Sequence, residues 1–163
     1  MIVDTSVWID FFNGHPSPQA QRLTQAIEDN ELINLPGLVL TEILLGLQND
    51  AEAKRIALLL EAFHEVPEPS RSDYLAAAAL YRSCRTRGVT IRSTIDCVIA
   101  QLCLRDGTAL LAKDRDFDRI AELTELRLVK VDSAFNQLMQ LRAAHEPQDD
   151  IGIPGADASR LQS

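Results

Sequence analysis

Five acidic residues, Asp4, Glu42, Asp96, Asp114 and Asp116, stand where a fold could gather them into one site. Asp4 follows at once on the apolar run Met1-Ile2-Val3, and Asp114 follows Leu110-Leu111-Ala112 after one lysine. In an open parallel sheet, ligands bind beyond the carboxyl ends of the strands, so an acid at that position faces a crevice. Asp96 lies in a segment where Ile95, Val98, Ile99 and Leu102 repeat at i, i+3, i+4 and i+7, which predicts a helix with the acid in its first turn. Glu42 is the sole charged residue in the apolar stretch 38–47. Carboxylates that converge without matching cations repel one another and must take up protons or hold a hard divalent ion. All-oxygen ligands favour Mg²⁺ or Mn²⁺ over zinc.

Each acid also has a plainer explanation. Asp4 and Asp114 are of the type that caps helix N-termini. Ser93 and Asp96 have the spacing of a capping box. Glu42 could face a buried arginine or sit where a helix end meets water. Capping and catalysis do not exclude each other, because a helix N-terminus also orients a carboxylate. Between Tyr81 and Ser93 the chain carries Arg82, Arg85, Arg87 and Arg92 and no acid. Arg85 and Arg87 suit a helix C-terminus through the macrodipole, and the same stretch is the best candidate for phosphate contact.

The elements that must position these residues alternate between strand and helix. Strands are expected at 1–3, 31–35, 108–112 and 126–131, with a brief edge strand at 64–67. Helices are expected at 7–12, 19–30, 38–47, 50–63, 72–86, 95–104, 115–121 and 133–144, with Gly88 ending the 72–86 helix. The 38–47 helix is apolar nearly all round and should be buried. From Glu146 onward Pro, Gly, Asp and Ser dominate, which predicts a disordered tail. The domain is therefore drawn at residues 1–144 and the tail at 145–163. The alternation implies a parallel sheet with helices on both faces, and right-handed crossovers bring the strand carboxyl ends to one edge.

Length and composition fit this architecture. A chain of 163 residues with 46% hydrophobic and 25% charged residues suits one globular domain. No segment has the length of a membrane span and no leader pattern opens the chain, so a cytoplasmic location without membrane attachment is expected. Three unpaired cysteines and three scattered histidines offer neither a disulfide framework nor a zinc site. The net charge of −8 argues at first against nucleic acid, yet the tail from His145 contributes −3 and the body −5. Five acids of the body belong to the proposed site, and the remaining charges cancel.

The order and spacing of Ile2-Val3-Asp4-Thr5-Ser6, the lone Glu42, Thr94-Ile95-Asp96-Cys97-Val98-Ile99-Ala100 and Leu110-Leu111-Ala112-Lys113-Asp114-Arg115-Asp116-Phe117 resemble the PIN domain, over roughly residues 1–135. The chain is similar to VapC-type ribonuclease toxins of toxin–antitoxin pairs. That resemblance implies an α/β fold, a three-layer α/β/α sandwich with a central, mainly parallel sheet. It also implies Mg²⁺-dependent endoribonuclease activity, with Mn²⁺ able to substitute, a homodimer, and a small VapB-type antitoxin partner in a hetero-oligomer. Asp4 and Asp96 would hold the metal, with Asp114 or Asp116 completing the site, Glu42 acting through bound water, and Ser6 and Thr94 hydrogen-bonding metal waters. Arg92 above all, with Arg85, Arg87 and Arg115, would contact the RNA. Two rivals remain: an inactive PIN-like module that binds RNA or a partner, and a haloacid-dehalogenase-type phosphatase. The latter resembles Asp-x-Asp, whereas here Ser6 stands two residues after Asp4.

Overall fold

The computed structural model describes residues 1–131. The expected terminal helix at 133–144 and the tail at 145–163 lie outside the described residues. Four very short strands form one sheet: β1 (Ile2–Val3), β2 (Asn34–Leu35), β3 (His64–Glu65) and β4 (Leu110–Leu111). Their spatial order is β3-β2-β1-β4, and every pairing is parallel. Seven helices accompany them among the described residues: α1 (Thr5–Phe12), α2 (Pro18–Glu28), α3 (Gly37–Leu45), α4 (Asp50–Leu60), α5 (Arg71–Thr86), α6 (Thr94–Asp106) and α7 (Arg115–Leu123).

This order decides where the site lies. The chain runs outward from β1 to β2 and β3, then returns across β1 to place β4 on its other side. With right-handed crossovers, the reversal puts α1–α4 on one face of the sheet and α5–α6 on the other. The point of reversal, between β1 and β4, opens a crevice at the strand carboxyl ends. Both strands end in an acid there, and the Asp4 backbone N–H donates to the Leu111 carbonyl at 2.9 Å. The strands hold together because both faces of the sheet are covered. Ile2, Val3, Leu110 and Leu111 are fully buried, as are Val39 beneath one face and Ile99 and Leu102 beneath the other. Each such side chain contributes roughly 1.5–3 kcal/mol on leaving water. Trp8 anchors the α1 side, also fully buried, with its ring 4.8 Å from Phe63 and 5.8 Å from Phe12, centroid to centroid.

Three expectations are corrected. The strand expected at 126–131 shrinks to a single parallel bridge, Leu110 to Leu128, closed by two backbone hydrogen bonds of 2.8 Å. The strand expected at 31–35 pairs only at its last two residues. Helix α3 is not buried all round: Val39 and Ile43 face the core, while Leu45 is 78% exposed. Apolar composition alone does not bury a nine-residue helix that ends in water. Gly107 closes α6 with φ of 58°, a left-handed conformation that side chains disfavour.

Candidate active site

Asp4 is the N-cap of α1: its carboxylate accepts from the Ser6 backbone N–H at 3.1 Å and from the Ser6 hydroxyl. It is only 6% exposed. Burial pushes its carboxyl above the ordinary value, the Ser6 hydrogen bonds oppose that, and the neighbouring Glu42 charge adds to it. Glu42, half-buried on α3, accepts a hydrogen bond from the Thr5 hydroxyl at 2.6 Å on Oε2. Thr5 thus ties α3 to the end of β1. It is a site residue that sequence reasoning missed, although it stands between two that were singled out.

Asp96 comes from the first turn of α6. The Ser93 hydroxyl accepts from the Asp96 backbone N–H at 3.3 Å, which is one half of the expected capping box. The returning bond, from the Ser93 backbone N–H to the Asp96 carboxylate, is not made among the described residues, so that carboxylate has only the Ser93 hydroxyl to oppose its burial. Burial raises its carboxyl to about 6; Asp4 adds to the rise, Ser93 opposes it, and Asp114 and Asp116 add further. No lysine or arginine among the described residues lies in salt-bridge contact with Asp4, Glu42 or Asp96.

Asp114 and Asp116 behave differently. Asp114 caps α7, accepting from the Asp116 backbone N–H at 2.9 Å. Asp116 is wholly buried. Burial alone would raise its carboxyl, but the Arg92 backbone N–H at 2.9 Å and the Arg92 and Arg119 guanidinium groups hold it below the ordinary range. Arg92, expected to contact the RNA, is tied to both acids in this structure. Its Nη2 bonds both oxygens of Asp114 at 2.7 and 2.9 Å while its Nε reaches Asp116 at 3.2 Å. The two acids are only two residues apart on one turn, and a planar fork is well shaped to bridge them. Arg119 was not foreseen; its i, i+3 spacing from Asp116 on α7 was the available signal.

The remaining residues fall into place around this core. One carboxylate oxygen from each of Asp96, Asp114 and Asp116 lies within 4.8 Å of the others. Asp4 adjoins Asp96 closely enough to raise it. Thr94, exposed at the start of α6, sits on the rim. Arg115 borders a shallow depression of about 470 Å³ together with Lys113, Asp114 and Arg119, and makes no ion pair among the described residues. Arg85 and Arg87 are at the far end of α5, where Arg87 donates to the Leu123 carbonyl at 3.3 Å. The macrodipole reading suits this pair better than phosphate contact.

A cluster of oxygen donors lacking nitrogen or sulfur, with no cation among the described residues paired to Asp4, Glu42 or Asp96, fits a hard divalent metal. Fold and site together define the class. The PIN domain family model matches residues 1–123, and the chain belongs to that family. Among curated relatives, it is 32% identical over 128 residues to Ribonuclease VapC11 of Mycobacterium tuberculosis and to VapC ribonuclease Mb1587 of Mycobacterium bovis, covering 78% of this chain and 96% of each relative. Among solved structures, VapBC2 from Rickettsia felis bound to a promoter DNA fragment is similar in fold. Its TM-score is 0.64 at 19% identity, over 80% of this chain and 98% of that one. No helix among the described residues is long and apolar enough to cross a membrane.

Proposed function

We propose that this chain is a metal-dependent endoribonuclease toxin of a type II toxin–antitoxin pair. The observation that carries the proposal is the convergence of Asp96, Asp114 and Asp116 within 4.8 Å, beside Asp4 and with no cation among the described residues paired to Asp96. The likeness to VapC ribonucleases over nearly their whole length supplies the substrate class, RNA. The VapBC complexes of similar fold support a VapB-type antitoxin as partner, and the proposal includes a second copy of the chain in a homodimer. A cytoplasmic site of action accords with both.

Asp4, Asp96 and Asp114 are the residues that would hold Mg²⁺ or Mn²⁺, with Asp116 fixing the position of Asp114 through their shared Arg92. A divalent ion bound there acidifies a water and neutralises charge on the phosphodiester in its transition state. The chain's own residues do the rest. Thr5 occupies Oε2 of Glu42, which leaves Oε1 free to orient the attacking water and accept its proton. Attack on phosphorus expels the 3′-oxygen, which takes up a proton, leaving 5′-phosphate and 3′-hydroxyl ends. Arg115 and Arg82, exposed and without carboxylate partners among the described residues, would meet the RNA backbone alongside Arg92. Ser6 holds Asp4 in orientation. That hydroxyl also occupies the position where a phosphatase of the rival class carries its second acid.

The test is cleavage of single-stranded RNA by the purified full chain with Mg²⁺, with EDTA, and as the Asp4→Asn variant. Cutting is expected only in the first. Equal cutting in all three would refute the proposal.

A further inference from the structure

Beside the acids, between α5 and α6, the surface opens into a cavity of about 340 Å³, at the small end of the size range of ligand pockets. Its wall on α5 is built from Tyr74, Ala77, Ala78 and Tyr81, an i, i+3, i+4, i+7 stripe that presents one face of the helix. The two rings stand seven residues apart, about 10 Å along the axis, with only methyl groups between them. Tyr74 is 49% exposed and Tyr81 is partly buried. The floor is apolar, from Ile91, Cys97 and Val98. Arg82 and Arg92 complete the lining, no carboxylate among the described residues takes part in it, and Thr94 and Arg92 belong at once to this cavity and to the rim of the acidic cluster.

We propose that this cavity is a nucleobase subsite, which receives a base of single-stranded RNA flanking the phosphodiester held at Asp4, Asp96 and Asp114. The inference rests on the endoribonuclease reading for the nature of the strand. Unpaired bases are recognised by stacking on aromatic side chains and guanidinium planes, and both are supplied here above an apolar floor. The positive lining suits a polyanion entering beside a site that is itself acidic. A base seated against Tyr81 draws its own phosphate toward the acids through the shared Thr94 and Arg92 edge. The subsite thereby orients the strand, and the tyrosines are positioning residues.

Binding separates this inference from the nuclease reading. The full chain is titrated, in Ca²⁺ so that the acids are neutralised, against a fluorescently labelled single-stranded RNA and against an abasic strand with the same number of phosphates, followed by anisotropy. Tyr81→Ala and Tyr74→Ala should each weaken RNA binding roughly five- to a hundredfold, the range of one lost stacking contact. Tyr→Phe at either position should restore it, and the abasic strand should bind the wild type as weakly as RNA binds the alanine variants. Should Tyr81→Ala fail to fold, the half-exposed Tyr74 decides. Unchanged affinity in the alanine variants, no rescue by Phe, or equal binding of the abasic strand overturns the subsite. Failure of the wild type to cut RNA in Mg²⁺ overturns only the nuclease reading, since the subsite is judged on binding.

Discussion

Two helices of this molecule begin with the same four-residue pattern, Ser-x-x-Asp, and the structure puts the two to opposite uses. At the start of α5, Ser70 and Asp73 form both halves of a capping box, and Arg105 adds an ion pair at 3.2 Å from the far end of α6. The Asp73 carboxyl is held down at about 2, first by the Ser70 hydroxyl and backbone and then, against burial, by Arg105. At the start of α6, Ser93 and Asp96 form one half only, and the charges nearest Asp96 are other carboxylates. Its carboxyl is raised to about 6. The start of α5 thus carries a satisfied acid, paired to the last turn of α6, and the start of α6 an acid with no cation in salt-bridge contact among the described residues. What distinguishes the two acids is the partner set, since motif and helix position are the same.

The largest effect should come from removing each acid in turn. Asp96→Asn should lower kcat/KM for RNA cleavage by at least about a hundredfold, because even a partner of a metal ligand is worth ten- to a hundredfold. Asp73→Asn should leave cleavage within about twofold, the scatter of a neutral change, while lowering Tm by a few degrees. If the two variants behaved alike in either assay, the contrast between the helix starts would be lost.

Metal addition should act at one helix start alone. Mg²⁺ at about a hundred times its Kd should stabilise the wild type by about 2.7 kcal/mol, read as a rise in Tm that EDTA reverses. Asp73→Asn should retain that rise and Asp96→Asn should lose it.

The pH dependences should have opposite signs. Asp96 titrates near 6 when folded and near 3.9 when unfolded. Between pH 4 and 6 the metal-free folded state therefore binds more protons, and its stability falls as pH rises through that window. Asp96→Asn should flatten this slope, and Mg²⁺ affinity should climb over the same range and level off above it. Asp73, held near 2, contributes stability that is present above pH 4 and is lost as pH falls toward 2. Equilibrium unfolding as a function of pH checks both limbs.

The smallest effect concerns Arg92, which is 70% exposed and joins Asp114 to Asp116. Arg92→Gln should lower the metal-free Tm only slightly, since an exposed ion pair is screened by water and Arg119 still holds Asp116. The Mg²⁺-induced rise in Tm should be larger in that variant, because the ion then takes over the neutralisation. A smaller rise would mean that Arg92 organises the site more than it competes for it.

Much of this was legible in the residues themselves. The apolar pairs before Asp4 and Asp114, the helical period around Asp96 and the turn at Gly88 report local preferences, and each element formed within a few residues of its expected place. Helix α3 and the 126–131 segment misled for one shared reason: apolar content shows a capacity for burial, and neither segment met a surface among the described residues that covered it fully. The site was half legible. Five acids could be named, but not which of them had a cation.

Taken alone, the sequence determined what short-range forces decide: the helices, their caps, and the acids that end two buried strands. Only the tertiary structure set β4 beside β1, left Asp96 with no cation in salt-bridge contact among the described residues, and assigned Arg105 to Asp73 and Arg92 to Asp114 and Asp116. Those partners lie 32, 22 and 24 residues apart. Coulomb attraction acts on distance in space, and chain folding is what makes such residues neighbours.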